Sequence, residues 1–136
     1  MSAHKALYRK NVKVAEHKGA GAWLAERLSS LVLVPLILWA LWSAAMIAGT
    51  GYQGALDWFA QPLNAWVLAA TWLVTLWHAN MGITVIVEDY IHKRSTLGLL
   101  LGLNALVCLG LAAVGLLFIT RLATGSDPLP AGFGVW

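Results

Sequence analysis

The stretch Trp58–Val87, WFAQPLNAWVLAATWLVTLWHANMGITVIV, carries no charged side chain, and an α-helix needs only ~20 such residues to cross the hydrocarbon core of a bilayer. Two further uncharged runs flank it, Leu28–Leu56 and Ser95–Thr120. Between residues 28 and 120 the only charges are Asp57, Glu88, Asp89, Lys93 and Arg94. Three transmembrane helices follow from this exclusion of charge. Over the whole chain of 136 residues, 60% are apolar and 11% charged. A soluble domain is about 25% charged, so a water-soluble globule is excluded. Three helices enclose little interior of their own. Most of their surface must therefore face lipid or another protein, and the expected fold is an all-α membrane protein forming part of a larger helical bundle.

The first helix is expected over about 23–48, the second over 63–90 and the third over 97–122. Pro35 inside the first frees the carbonyl of Leu31 and predicts a bend. Gly49-Thr-Gly-Tyr-Gln-Gly54 reads as a turn, followed by a short polar and aromatic connection through Asp57, Trp58 and Pro62. Residues 1–22 form a basic N-terminal segment with no apolar core, unlike a secretory signal peptide. Residues 123–136 read as a short tail that turns at Gly125-Ser-Asp-Pro128 and ends in Trp136. The single cysteine, Cys108, falls in the third run and reads as a small hydrophobe. Trp23, Trp58, Trp66 and Trp136 sit near span ends as interfacial anchors, whereas Trp39, Trp42, Trp72 and Trp77 lie deeper.

Of the nine Lys and Arg residues, Lys5, Arg9, Lys10, Lys13, Lys18 and Arg27 lie at or before the start of helix one, and Lys93 and Arg94 join helices two and three. Only Arg121 falls on the other side. By the positive-inside rule the N-terminus is cytoplasmic and the C-terminus external. No repeat, phosphate loop, nucleophile triad or metal-binding cysteine cluster occurs, and nothing points to nucleic acid.

His78 lies well inside helix two, and an ionisable group within a membrane is a functional candidate. At about 100° per residue, Gly82 lies about 40° from His78 and Asp89 about 20°, so His78 and Asp89 share a stripe about 16 Å apart along the axis. A neutral imidazole there can ligate haem iron, relay protons, or donate a hydrogen bond to a neighbouring helix. Gly82 favours the first role by leaving room for a macrocycle edge. A second axial ligand would come from another subunit, because helices one and three contain no histidine. His92, about 40° off the stripe, has the spacing for a second haem, but Lys93 and Arg94 place it at the aqueous boundary. Met81 reads as packing, and His4 and His17 lie in the basic N-terminal segment.

Glu88, Asp89 and Tyr90 end helix two on the same side as Arg27, Ser29 and Ser30. One reading is an ion pair with an aromatic anchor and back-bonded serines. The other is a wet pocket whose phenol, carboxylate and guanidinium suit a quinone head group. Helix three carries Gly98, Gly102, Gly110 and Gly115, weak signals of close packing, and Asn104 as its only strongly polar interior residue.

Read together, His78-Ala-Asn-Met-Gly82 and Val85-Ile-Val-Glu-Asp-Tyr90-Ile-His92, with Trp23-Leu-Ala-Glu-Arg27-Leu-Ser-Ser30 and Leu33-Val-Pro-Leu36, resemble the hydrophobic membrane anchor subunit of succinate dehydrogenase, respiratory complex II. The likeness is closest to its alphaproteobacterial and mitochondrial-type anchors. It covers about residues 19 to 92, with a third helix matched in character. The resemblance implies that His78 is one axial ligand of a haem b shared with a cytochrome b membrane subunit, against which Gly82 packs. It implies that Asp89 and Tyr90 line a ubiquinone site beside the iron-sulfur subunit, through which a flavoprotein subunit is anchored to the membrane. Arg27 matches a family arginine near the haem propionates and that pocket. Relatives commonly carry Thr-Ala where this chain has Ser29 and Ser30, which preserves a hydroxyl, so the resemblance implies that these serines belong with Arg27 to the haem-propionate or quinone pocket. The location implied is the bacterial inner membrane. The alternatives are a fumarate reductase anchor, or a scaffolding or proton-conducting subunit without haem.

Overall fold

The computed structural model describes residues 2–125, with side chains from residue 19 onward. The described residues form four helices, α1 (Ser2–Ala48), α2 (Gly51–Ala60), α3 (Pro62–Tyr90) and α4 (Arg94–Ala123), and no strand. Among the described residues, three segments are long and apolar enough to cross a membrane: Gly19–Ala48, Pro62–Tyr90 and Arg94–Ala123. The chain is a multi-pass, all-helical membrane protein. The expected tail turn at 125–128 lies largely outside the described residues, and Trp136 lies wholly outside them.

Two boundaries differ from the sequence reading. The glycine-rich stretch after α1 is not an extended connection: it turns at Gly51, whose φ of 71° is glycine's own region, and immediately forms α2. The helix is fixed by what lies beneath it, because the Trp58 ring packs 5.7 Å from that of Trp39 and 5.0 Å from Phe59. On its exposed side Gln53 Nε2 donates to the Asp57 carboxylate one turn on, at 3.2 Å. The other difference is at α1, whose helix extends back to Ser2, with Pro35 inside it.

The ends of α3 follow local rules. Gln61 is extended (φ −77°, ψ 116°) and Pro62 follows at the first helical turn, where its fixed φ is favourable and its missing N–H costs nothing. Asn64 Nδ2 donates back to the Trp58 carbonyl at 3.0 Å, tying α3 to α2. At the other end Ile91 (φ −108°, ψ 106°) and Lys93 (φ −83°, ψ 114°) leave helical space, so the reversal into α4 takes only Ile91, His92 and Lys93.

Buried side chains are few and small: Ser29, Ser43, Ala65 and Thr71 among the described residues. Ser29 and Ser43 repeat along one stripe of α1, and Thr71 and His78 along one stripe of α3, each at multiples of seven. In hydrocarbon, small residues let helix backbones approach while large ones face outward, and Trp42, Trp66 and Leu106 are accordingly exposed. Helix α4 packs most extensively on α3. Trp72 Nε1 donates to the Leu111 carbonyl at 3.0 Å, over Gly115, where any side chain would collide with the indole. Asn104 Nδ2 donates to Asn80 Oδ1 at 2.9 Å and to the Asn80 carbonyl at 3.2 Å. Each of these bonds satisfies a polar group that lipid cannot.

Candidate functional site

His78 faces α1, not lipid. Its Nδ1 lies 2.8 Å from Ser29 Oγ, and Ser29 is 4% exposed. The same hydroxyl donates to the Glu26 carbonyl one turn earlier in α1, at 2.9 Å. Serine commonly back-bonds in this way inside a helix. Here the back-bond aims the oxygen at α3. Nε2 of His78 has no hydrogen-bond partner among the described residues. One turn on, the Cβ position of Gly82 has no neighbouring atom within 4 Å. An imidazole held through Nδ1, one turn from a glycine whose Cβ position is open, fits one axial ligand of a flat macrocycle.

The remaining predicted site residues are distributed differently. Asp89 and Tyr90 close α3 and are exposed, Tyr90 at 78%, and neither has a partner among the described residues. Arg27 is exposed as well. It lies about 160° around α1 from Ser29, with its guanidinium carbon 5.4 Å from the Trp23 ring centroid. No ion pair links it to Asp89, and among the described residues no ion pair forms at all. Ser30 spends its hydroxyl on the carbonyls of Glu26 and Arg27, at 2.9 and 3.0 Å. The structure therefore brings Ser29 to His78 and leaves Arg27, Asp89 and Tyr90 separately on the outer surface.

His92 is outside α3 altogether, in the extended connection beyond Tyr90 and exposed. It does not continue the His78 stripe. Met81 lines a cleft between α1 and α3, of about 690 Å³, together with Trp23, Glu26, Asn80, Thr84 and Glu88. That cleft opens on the opposite side of the His78 stripe from Gly82, since Met81 and Glu88 lie at about −60° and −80° on the helical wheel. No group of three or more His, Cys, Asp or Glu side chains that would hold a bare metal ion occurs among the described residues.

Residues 1–122 match the family described as succinate dehydrogenase/fumarate reductase transmembrane subunit. The chain belongs to that family. No curated protein and no solved structure gave a significant match. Membership accounts for the three apolar spans and the outward-facing bulk, because a transmembrane subunit of this family works within a larger complex.

Two features of this family member are not apparent from sequence reasoning. Ser29 and Ser30 look equivalent in the sequence. Adjacent helical residues point about 100° apart, and only Ser29 meets α3. Asn80 gave no signal either, although it lies about 200° around α3 from His78 and binds Asn104. An asparagine on each of two neighbouring apolar spans was the available clue.

Proposed function

We propose that the chain is the hydrophobic membrane anchor subunit of a succinate:ubiquinone oxidoreductase, and that His78 contributes one axial ligand to a haem b shared with a cytochrome b subunit. The observation that carries this reading is the Ser29–His78 pair: an ionisable ring deep in an apolar span, oriented by a buried hydroxyl, with open space beside it at Gly82. Ligating histidines are characteristically held in this way through their other ring nitrogen. When bound, the haem supplies a one-electron redox group inside the bilayer.

Asp89 and Tyr90 form this chain's share of the ubiquinone-reduction site. Tyr90 presents a phenol donor suited to a quinone carbonyl, and Asp89 a carboxylate that can organise a proton beside it. Both stand at the end of α3 where the iron-sulfur subunit would dock and deliver electrons, and the flavoprotein subunit attaches through that subunit. Arg27, projecting from the other side of α1, addresses a haem propionate or the quinone pocket only together with partner residues. The chain itself supplies anchorage and half of each site.

The bias of Lys and Arg supports a topology with residues 1–22 and the α3–α4 connection on the cytoplasmic side of a bacterial inner membrane, the transmembrane region at 23–122, and residues 123–136 outside. Single cysteines at Ser2 and Ser126, probed in intact cells with an impermeant thiol reagent, test this: labelling at Ser126 alone is expected, and labelling at Ser2 alone reverses the orientation. The function is tested by purifying the complex through a tag on this chain. A covalent or tightly bound flavin, iron-sulfur signals and a b-type α-band in the reduced-minus-oxidised spectrum are expected. A chain that purifies free of flavoprotein and haem contradicts the proposal.

A further inference from the structure

We infer that Ser29 is a positioning residue: its hydroxyl holds the proton of His78 on Nδ1, keeps the Nε2 lone pair free for iron, and strengthens the imidazole as a ligand. The inference rests on the reading of His78 as a haem ligand and goes beyond it, because it assigns a task to a residue on a different helix.

A serine hydroxyl has one proton and two lone pairs. Ser29 Oγ makes two short contacts, 2.9 Å to the Glu26 carbonyl oxygen and 2.8 Å to His78 Nδ1. A carbonyl oxygen can only accept, so the first contact is attractive only if Ser29 gives its proton to Glu26. Its remaining capacity is that of an acceptor, and the second contact then requires a hydrogen on Nδ1. The reverse assignment, with Ser29 donating to Nδ1, would leave two oxygen lone pairs facing each other at 2.9 Å. One arrangement makes both contacts hydrogen bonds. With Ser29 4% exposed, water does not compete for either.

A neutral imidazole protonated at Nδ1 carries its lone pair on Nε2. The chain Glu26 C=O, Ser29 O–H, His78 Nδ1–H polarises in one direction, each bond strengthening the next. Donation from Nδ1 makes the ring a stronger electron donor through Nε2, which favours the oxidised iron and lowers the reduction potential. It also fixes the rotation of the ring. Ser30, whose hydroxyl bonds only to α1 carbonyls, has no such influence.

The experiment uses the intact purified complex and reads the haem, not turnover. In Ser29→Ala the haem is retained, its midpoint potential shifts positive in an optical redox titration, and the g-values of the ferric low-spin EPR spectrum change as the ring loses its hold. Ser29→Thr keeps the hydroxyl and restores wild-type values, and Ser30→Ala leaves both unchanged. Ser29→Cys keeps the volume with a weaker acceptor and shifts the potential in the same direction by less, which covers an alanine variant that fails to assemble. Wild-type potential and g-values in both Ser29→Ala and Ser29→Cys overturn the inference while leaving His78 as a ligand. A haem untouched by His78→Ala removes instead the reading on which it rests.

Discussion

The middle of α3 and its C-terminal end carry the two polar devices of this chain, and they are built in opposite ways. At His78 the ring is clasped by a buried serine from α1, itself tied to the α1 backbone. Eleven residues later, Asp89 and Tyr90 stand exposed and unpaired within the chain, and Arg27 turns toward Trp23. On the proposed function, the contrast separates a group oriented before its haem arrives from groups that a neighbouring subunit completes. In hydrocarbon an unsatisfied polar atom costs several kcal/mol; Nδ1 of His78 is satisfied within the chain, and Nε2 is the ring atom left without a partner among the described residues. Asp89 and Tyr90 are exposed at the end of α3, where water can satisfy a polar group that has no protein partner.

Breaking the outer device should have the larger effect on turnover. Tyr90→Phe removes a donor with little change in shape, at about 1–3 kcal/mol if a quinone carbonyl loses its partner, or roughly ten- to a hundredfold in quinone reduction. Asp89→Asn should slow the same step and alter its pH profile. Succinate oxidation by a water-soluble dye, and the haem spectrum, should persist in both. Full ubiquinone reductase rates across pH in both variants would reduce the cluster to an interfacial anchor.

A smaller effect sharpens the comparison from the structural side. Asn104→Ala deletes both bonds to Asn80 and should cost about 0.6–1.7 kcal/mol, the range for hydrogen bonds between membrane helices. It is measured as lowered resistance of the complex to unfolding in denaturing detergent. The haem potential should not move, because Asn80 faces α4 and His78 faces α1. A potential shift as large as that from Ser29→Ala would show that the two faces of α3 are coupled.

The spans were legible because charge cannot enter hydrocarbon, and its absence over long runs needs no knowledge of contacts. The His78–Gly82–Asp89 stripe was legible because helical periodicity follows from spacing alone. What was not legible depends on rotation of one helix about another. Ser29 and Ser30 are distinguished, and Arg27 is separated from Asp89, only by which face of α1 meets α3, and that face is set by small residues spread over the whole helix. The glycine-rich connection concealed α2 for a related reason: its helix is held by Trp39, a residue from another element.

The central claim is that His78, and not His92, is this chain's haem ligand. It is tested most directly by reduced-minus-oxidised optical spectra of the purified complex carrying His78→Ala or His92→Ala. His78→Ala should lose or markedly alter the b-type α-band, and His92→Ala, whose side chain lies beyond the end of α3, should leave it unchanged. An unaltered α-band in His78→Ala would contradict the account.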